Sequence, residues 1–190
     1  MNHKTNLINI KTPIYDEIIK SLKVGDNITI TGTIYTARDA AHKRMTESII
    51  KKEAPPFEFD GQIVFYAGPC PAPAGKPIGS IGPTTAGRMD AYAPILIGAG
   101  LKIMIGKGNR KQPVVDAIKA HKGLYFAAVG GVAALLAKCV VSSEVIAYEE
   151  LGTEAIWKLY VEKMPLIVAI DHQGQSVYEY YLPALKTSIQ

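Results

Sequence analysis

Cysteine is scarce in this sequence: Cys70 and Cys139 are the two found in 190 residues. They form no CxxC pair and share no Cys/His spacing suited to zinc, which excludes a zinc-finger site or a disulfide scaffold. The expectation is two unpaired thiols in a reducing cytosol, and a cytoplasmic protein. Long apolar runs are lacking too. The opening MNHKTNLINIKTP holds no stretch of signal-peptide length, and runs such as 125–137 are broken by glycine and fall short of a membrane span. Charge of one sign is not strongly in excess. The net charge is +4, with no basic stripe interleaved with aromatics, which argues against a nucleic-acid partner. A small anion needs only a few well-placed cations, and the mild excess allows that.

What is present suits one domain over residues 1–190: 48% of residues are apolar and 20% charged, enough for a proper core. Residues 13–23 carry Ile14, Ile18, Ile19 and Leu22 at helical spacing, with Thr12 as N-cap and Pro13 first in the helix. Ile28, Ile30 and Ile34 alternate with threonines and predict a strand. A charged helix is predicted at 38–52 and a short strand at 61–67. Residues 68–87 contain five prolines and five glycines and predict a long ordered loop. A helix follows over 88–98. From 101 onward strands and helices alternate through CVVSSEVIAY, which predicts an α/β fold, a mixed sheet with flanking helices and some parallel pairing. AIWKLYVEKMPLIVAID is read as two strands, and QSVYEYYLPALKTSIQ as a helix or an extended arm.

Four places can carry chemistry. In YTARDAAH, residues 35–42, Arg38 falls where a strand gives way to a helix, and open sheets bind ligands at such junctions. It reads as a carboxylate clamp with Asp39 capping the helix, or as a surface arginine beside a cap; taken alone the stretch favours the second. His42 reads as structural or exposed. In GSIGPTTAGRMD, residues 79–90, the glycines permit close approach of the backbone. Thr84 and Thr85 supply hydroxyls and amides, and a helix starting near Gly87 or Arg88 would add free N–H groups and a fixed cation. A tight connector with a capping threonine explains the stretch equally well. In IGKGNRKQ, Lys107 between two glycines is a point charge for a second carboxylate, or a solvated lysine in a turn. Gly130 and Gly131 read as a tight turn. Arg38, Arg88 and Lys107 together suit a small dianion. No base of ordinary acidity accompanies them, and a threonine hydroxyl serves as one only when cations and a dry site depress its pKa.

The stretches GSIGPTTAGRMDAY and MIGKGNR, with TARDAAHKRM upstream, resemble the β subunit of the class I iron–sulfur fumarate hydratases and of L(+)-tartrate dehydratase. In single-chain members of that family this region is the C-terminal domain. The resemblance runs from about residue 10 to about residue 180. It implies a swivelling β/β/α domain docked on a separate α subunit, whose three cysteines hold a 4Fe–4S cluster with one open iron. By motif, it implies that Arg38, Arg88 and Lys107 bind substrate carboxylates and that Thr84 takes a proton from carbon 3 of malate. Thr85 would orient the loop, and the acid would lie on the partner. Two cysteines cannot hold a cubane cluster in the usual way, which agrees with a cluster held by the α subunit. Cys70 departs from the family's pattern and reads as incidental. The expected function is a hydro-lyase β subunit converting (S)-malate and fumarate. The alternatives are the tartrate enzyme and a non-catalytic carboxylate-binding module.

Overall fold

The computed structural model describes residues 7–128, 131 and 133–179. Seven strands form a mixed sheet: β1 (Ile8–Lys11), β2 (Asn27–Thr36), β3 (Ile63–Phe65), β4 (Ile103–Gly106), β5 (Leu124–Ala127), β6 (Val140–Ala147) and β7 (Ile156–Ile170). β1 through β5 pair in parallel in chain order. β7 runs antiparallel to them. One of its edges pairs with β2, while the other pairs with β6 along its first part and β5 along its last. The sheet therefore closes into a ring of β2, β3, β4, β5 and β7, with β1 and β6 outside it.

The period of two sorts the side chains. Ile63 and Phe65 of β3, Ile103 and Ile105 of β4, and Leu124 and Phe126 of β5 join one cluster with Ile30 and Val168. The helix α1 (Asp16–Ser21) adds Ile19 to it. The intervening Val64, Met104 and Tyr125 face a second cluster. There the helices α2 (Asp39–Ile50), α3 (Ala93–Gly98) and α4 (Gln112–His121) contribute Met45, Leu96 and Ile118. Both faces of β3, β4 and β5 are covered, and β3 is wholly buried, as its unbroken apolar run requires. α5 (Ala133–Lys138) leads into β6.

Three elements differ from expectation. The first helix starts at Asp16 rather than at 13, with Tyr15 as its N-cap. The Thr12 amide donates to the Thr31 carbonyl at 3.0 Å and the Ile14 amide to Gly61 at 2.8 Å, so both are committed outside the helix. The predicted helix at 88–98 is broken into a 3₁₀ turn at Ala86–Met89 and α3, which restarts with Pro94 in its first turn, where a residue without an amide is tolerated. The expected pair of late strands is one 15-residue strand, β7. Lys163, at φ 48°, lies where the register with β2 shifts, and the strand runs on through Pro165 opposite Thr29. The tail turns helical at Val177–Glu179, and the rest of the predicted helix or arm lies outside the described residues.

Candidate functional site

Parallel order puts the C-terminal ends of β2, β3, β4 and β5 on one rim, where open sheets place ligands. The Pro-rich loop returns to that rim. It is closed on itself by the Cys70 amide bonding Ser80 at 2.9 Å and the Gly79 amide bonding Cys70 at 3.0 Å. Its buried Ile78 and Ile81 anchor it to the core. The Thr84 amide then donates to the Tyr66 carbonyl at 2.7 Å, and the Lys107 amide donates to the Thr84 carbonyl at 3.2 Å. Thr85 pairs with Lys107 in a parallel bridge, and the Ala86 amide donates to the Lys107 carbonyl at 2.8 Å. The threonines thus form a short rung beside the end of β4. Gly106 is needed under it: a Cβ there would stand 3.0 Å from Tyr66 and 3.1 Å from Ala86.

Of the N–H groups expected of a helix start near Gly87 or Arg88, those of Ala86 and Arg88 are bonded within the chain. Its contribution is the Arg88 side chain, half exposed, whose Nε donates to Asp39 Oδ1 at 2.9 Å. Asp39 is the first residue of α2 but does not cap it. That task falls to Glu154, whose Oε2 accepts from the Ala40 amide at 3.0 Å. Glu154 Oε1 also lies 3.4 Å from Arg38 Nη2. Arg38 Nε lies 4.0 Å from Asp39 Oδ2. The structure therefore joins Arg38 to Arg88 through Asp39, Arg88 to Thr85 through a backbone bond of 3.2 Å, and both threonines to Lys107. All five predicted site residues belong to one connected rim. Lys107 is exposed between Gly106 and Gly108. Gly131, at φ 82°, sits in the expected turn, and Gly130 lies outside the described residues.

Beneath the rim is a buried polar layer that the sequence reading did not find. Arg110 Nε donates to Asp90 Oδ1 at 2.7 Å, and the Lys111 amide donates to Asp90 Oδ2 at 2.8 Å. The Arg110 guanidinium lies 5.2 Å from the centre of the Tyr66 ring and 5.1 Å from that of Tyr125, and its Nη1 reaches the Tyr66 hydroxyl at 3.4 Å. The Tyr125 hydroxyl donates to the Gly108 carbonyl at 2.9 Å. Burial raises the pKa of both phenols, so both stay neutral. His42 is buried, as a structural role requires, and donates from Nδ1 to the Arg38 carbonyl at 2.9 Å. The signal for this layer was a charged pair, Asp90 and Arg110, inside otherwise glycine-rich loop motifs.

No group of three His, Cys, Asp or Glu suited to a metal ion occurs among the described residues. Cys70 and Cys139 are free thiols on separate elements. The described residues do not fit as the ligand set of an iron–sulfur cluster. No helix among the described residues is long and apolar enough to cross a membrane.

A model of the fumarase C-terminus family matches residues 1–181. The chain belongs to that family. It is 46% identical over 159 residues to the class I anaerobic fumarate hydratase of Escherichia coli (strain K12), covering 82% of this chain and 29% of that protein. It is 39% identical over 176 residues to fumarate hydratase 2 of Leishmania major, covering 90% of this chain and 31% of that protein. It is also 39% identical over 167 residues to a protein of Methanocaldococcus jannaschii named putative L(+)-tartrate dehydratase subunit beta, covering 85% of this chain and 86% of that one. This fumarase C-terminus domain thus spans about a third or less of the fumarate hydratases it matches, but most of the subunit from M. jannaschii.

Proposed function

We propose that this chain is the β subunit of a two-subunit cytoplasmic hydro-lyase that interconverts (S)-malate and fumarate. The observation that carries the reading is the rim itself: Thr84, Thr85, Arg88 and Lys107 are joined by backbone bonds at the strand ends, and Arg38 faces Arg88 across Asp39. The names of the E. coli and L. major relatives support the reaction class. The subunit name of the M. jannaschii relative supports a separate partner. The 4Fe–4S cluster implied by the resemblance finds no ligand set here, so on this reading it belongs to the α subunit.

On this chain's side, Arg38, Arg88 and Lys107 grip the substrate carboxylates. Guanidinium groups do so by paired hydrogen bonds and the ammonium as a point charge. The same cations stabilise the negative charge that develops on a carboxylate as the neighbouring carbon loses its proton. Thr84 accepts that proton from carbon 3, and the surrounding cations favour its alkoxide. Thr85 holds the loop against Lys107.

The test is anaerobic co-purification with a cysteine-bearing partner, followed by malate and tartrate assays. Activity on malate requiring both chains is the expected result. Thr84→Ala should lose about a hundredfold or more in turnover while retaining substrate binding, and near-normal turnover removes Thr84 as the base. Arg88→Lys keeps the charge but loses the fork, and an unchanged KM and rate would contradict the clamp. The tartrate reading is favoured by the 86% coverage of the M. jannaschii subunit, and activity on tartrate alone selects it. No complex and no activity on either substrate selects a carboxylate-binding module.

A further inference from the structure

Asp39 opens α2, where an acidic side chain ordinarily turns back to the free amides of its own helix. Here it makes no cap, and Glu154 does that work from 114 residues away. Asp39 is turned instead toward two arginines. Its Oδ1 accepts from Arg88 Nε at 2.9 Å, and its Oδ2 lies 4.0 Å from Arg38 Nε. Oδ2 and Arg38 Nε are both buried, and neither has a hydrogen-bond partner, so each is held by the other's charge alone. One carboxylate therefore stands between guanidiniums that come from different parts of the chain, the β2–α2 junction and the 3₁₀ turn.

Resting on the functional reading above, we propose that Asp39 is a positioning residue that sets the separation and orientation of the Arg38 and Arg88 guanidiniums. By taking the Nε edge of Arg88, it leaves the two terminal nitrogens as the face available to a substrate carboxylate. It also fixes a side chain that is otherwise half exposed. An arginine whose fork is already aimed loses less conformational freedom on binding, and the gain is in affinity.

The rival role is simple charge damping. An aspartate that only dilutes the positive rim would, when removed, strengthen the field and tighten binding of a dianion. The two roles predict opposite signs. The experiment measures KM, kcat and the inhibition constant of succinate for the assembled two-subunit enzyme carrying Asp39→Ala or Asp39→Asn, with thermal unfolding as a check on folding. Positioning predicts that Asp39→Ala raises KM and the succinate constant about tenfold, the scale of one lost charge-assisted hydrogen bond, with a smaller fall in kcat. Asp39→Asn keeps an acceptor for Arg88 Nε and should fall between Asp39→Ala and the unaltered enzyme. An active enzyme in which either folded variant leaves KM and the succinate constant unchanged, or lowers them, overturns the positioning role alone. An unaltered complex that turns over neither malate nor tartrate overturns the functional reading beneath it.

Discussion

At the scale of single residues, burial holds the His42 imidazole neutral. The ring lies edge-on to Tyr66 at 5.0 Å, and its pKa falls from 6.5 to about 4, chiefly through burial. The unfolded chain therefore takes up a proton on this residue before the folded one does. Stability is complete above about pH 6.5 and declines as pH falls toward 4, where the loss levels off. A shift of this size corresponds to about 3 kcal/mol in all, with about 2 kcal/mol lost between pH 7 and pH 5. Urea unfolding at those two pH values should show the decrease, and His42→Phe should remove that component of it. A midpoint insensitive to pH over this window would mean that the folded state accommodates the charged ring. The sequence marked this histidine as structural or exposed; burial on α2 decides for the first.

Between elements, Asp90 acts as a remote cap. It follows the 3₁₀ turn that carries Arg88, yet it accepts from Lys111, the N-cap residue of α4, and from the side chain of Arg110. Asp90→Ala leaves a buried guanidinium uncompensated and should cost about 3–5 kcal/mol, read by chemical denaturation. Adding Arg110→Met should recover part of that loss, and full additivity of the two changes would show that the pair does not interact. A second constraint lies at Gly68, where an added Cβ would collide with the Thr153 carbonyl and stand 3.2 Å from Arg38 Cδ. Gly68→Ala should destabilise by about 1–3 kcal/mol and weaken substrate binding through Arg38, which a KM measurement registers. Element boundaries were legible where the hydrophobic period was undisturbed, as in β2 and α2. They were misread where long-range bonds overrule local pattern. The amides of Thr12 and Ile14 bond Thr31 and Gly61, and no local signal announces that. The two strands expected over residues 155–171 are one, which runs on through Pro165 after the bulge at Lys163.

Across the whole molecule, Thr84, Thr85, Arg88 and Lys107 stood out because they sit in short motifs rich in glycine, and Arg38 because a strand gives way to a helix there. The layer that supports it was not, because Asp90, Arg110, Tyr66 and Tyr125 are far apart in sequence and meet only when the parallel strands align. Amide exchange offers a global check. Protection should be highest in β2, β4 and the part of β7 between β2 and β5, and lowest in β1 and β6, which stand outside the ring. Comparable protection in β6 and β4 would count against that ring. The closure of the sheet has a mechanical consequence as well. β7 ties β2 to β5, so the strands act as staves in a hoop, and no one stave can tilt outward without breaking two rows of hydrogen bonds. The aperture between the strand that leads to Arg38 and the strand that leads to Lys107 is thereby fixed. On the proposed function, a substrate would meet a rim whose strand ends move only as a body, with the arginine side chains left to adjust.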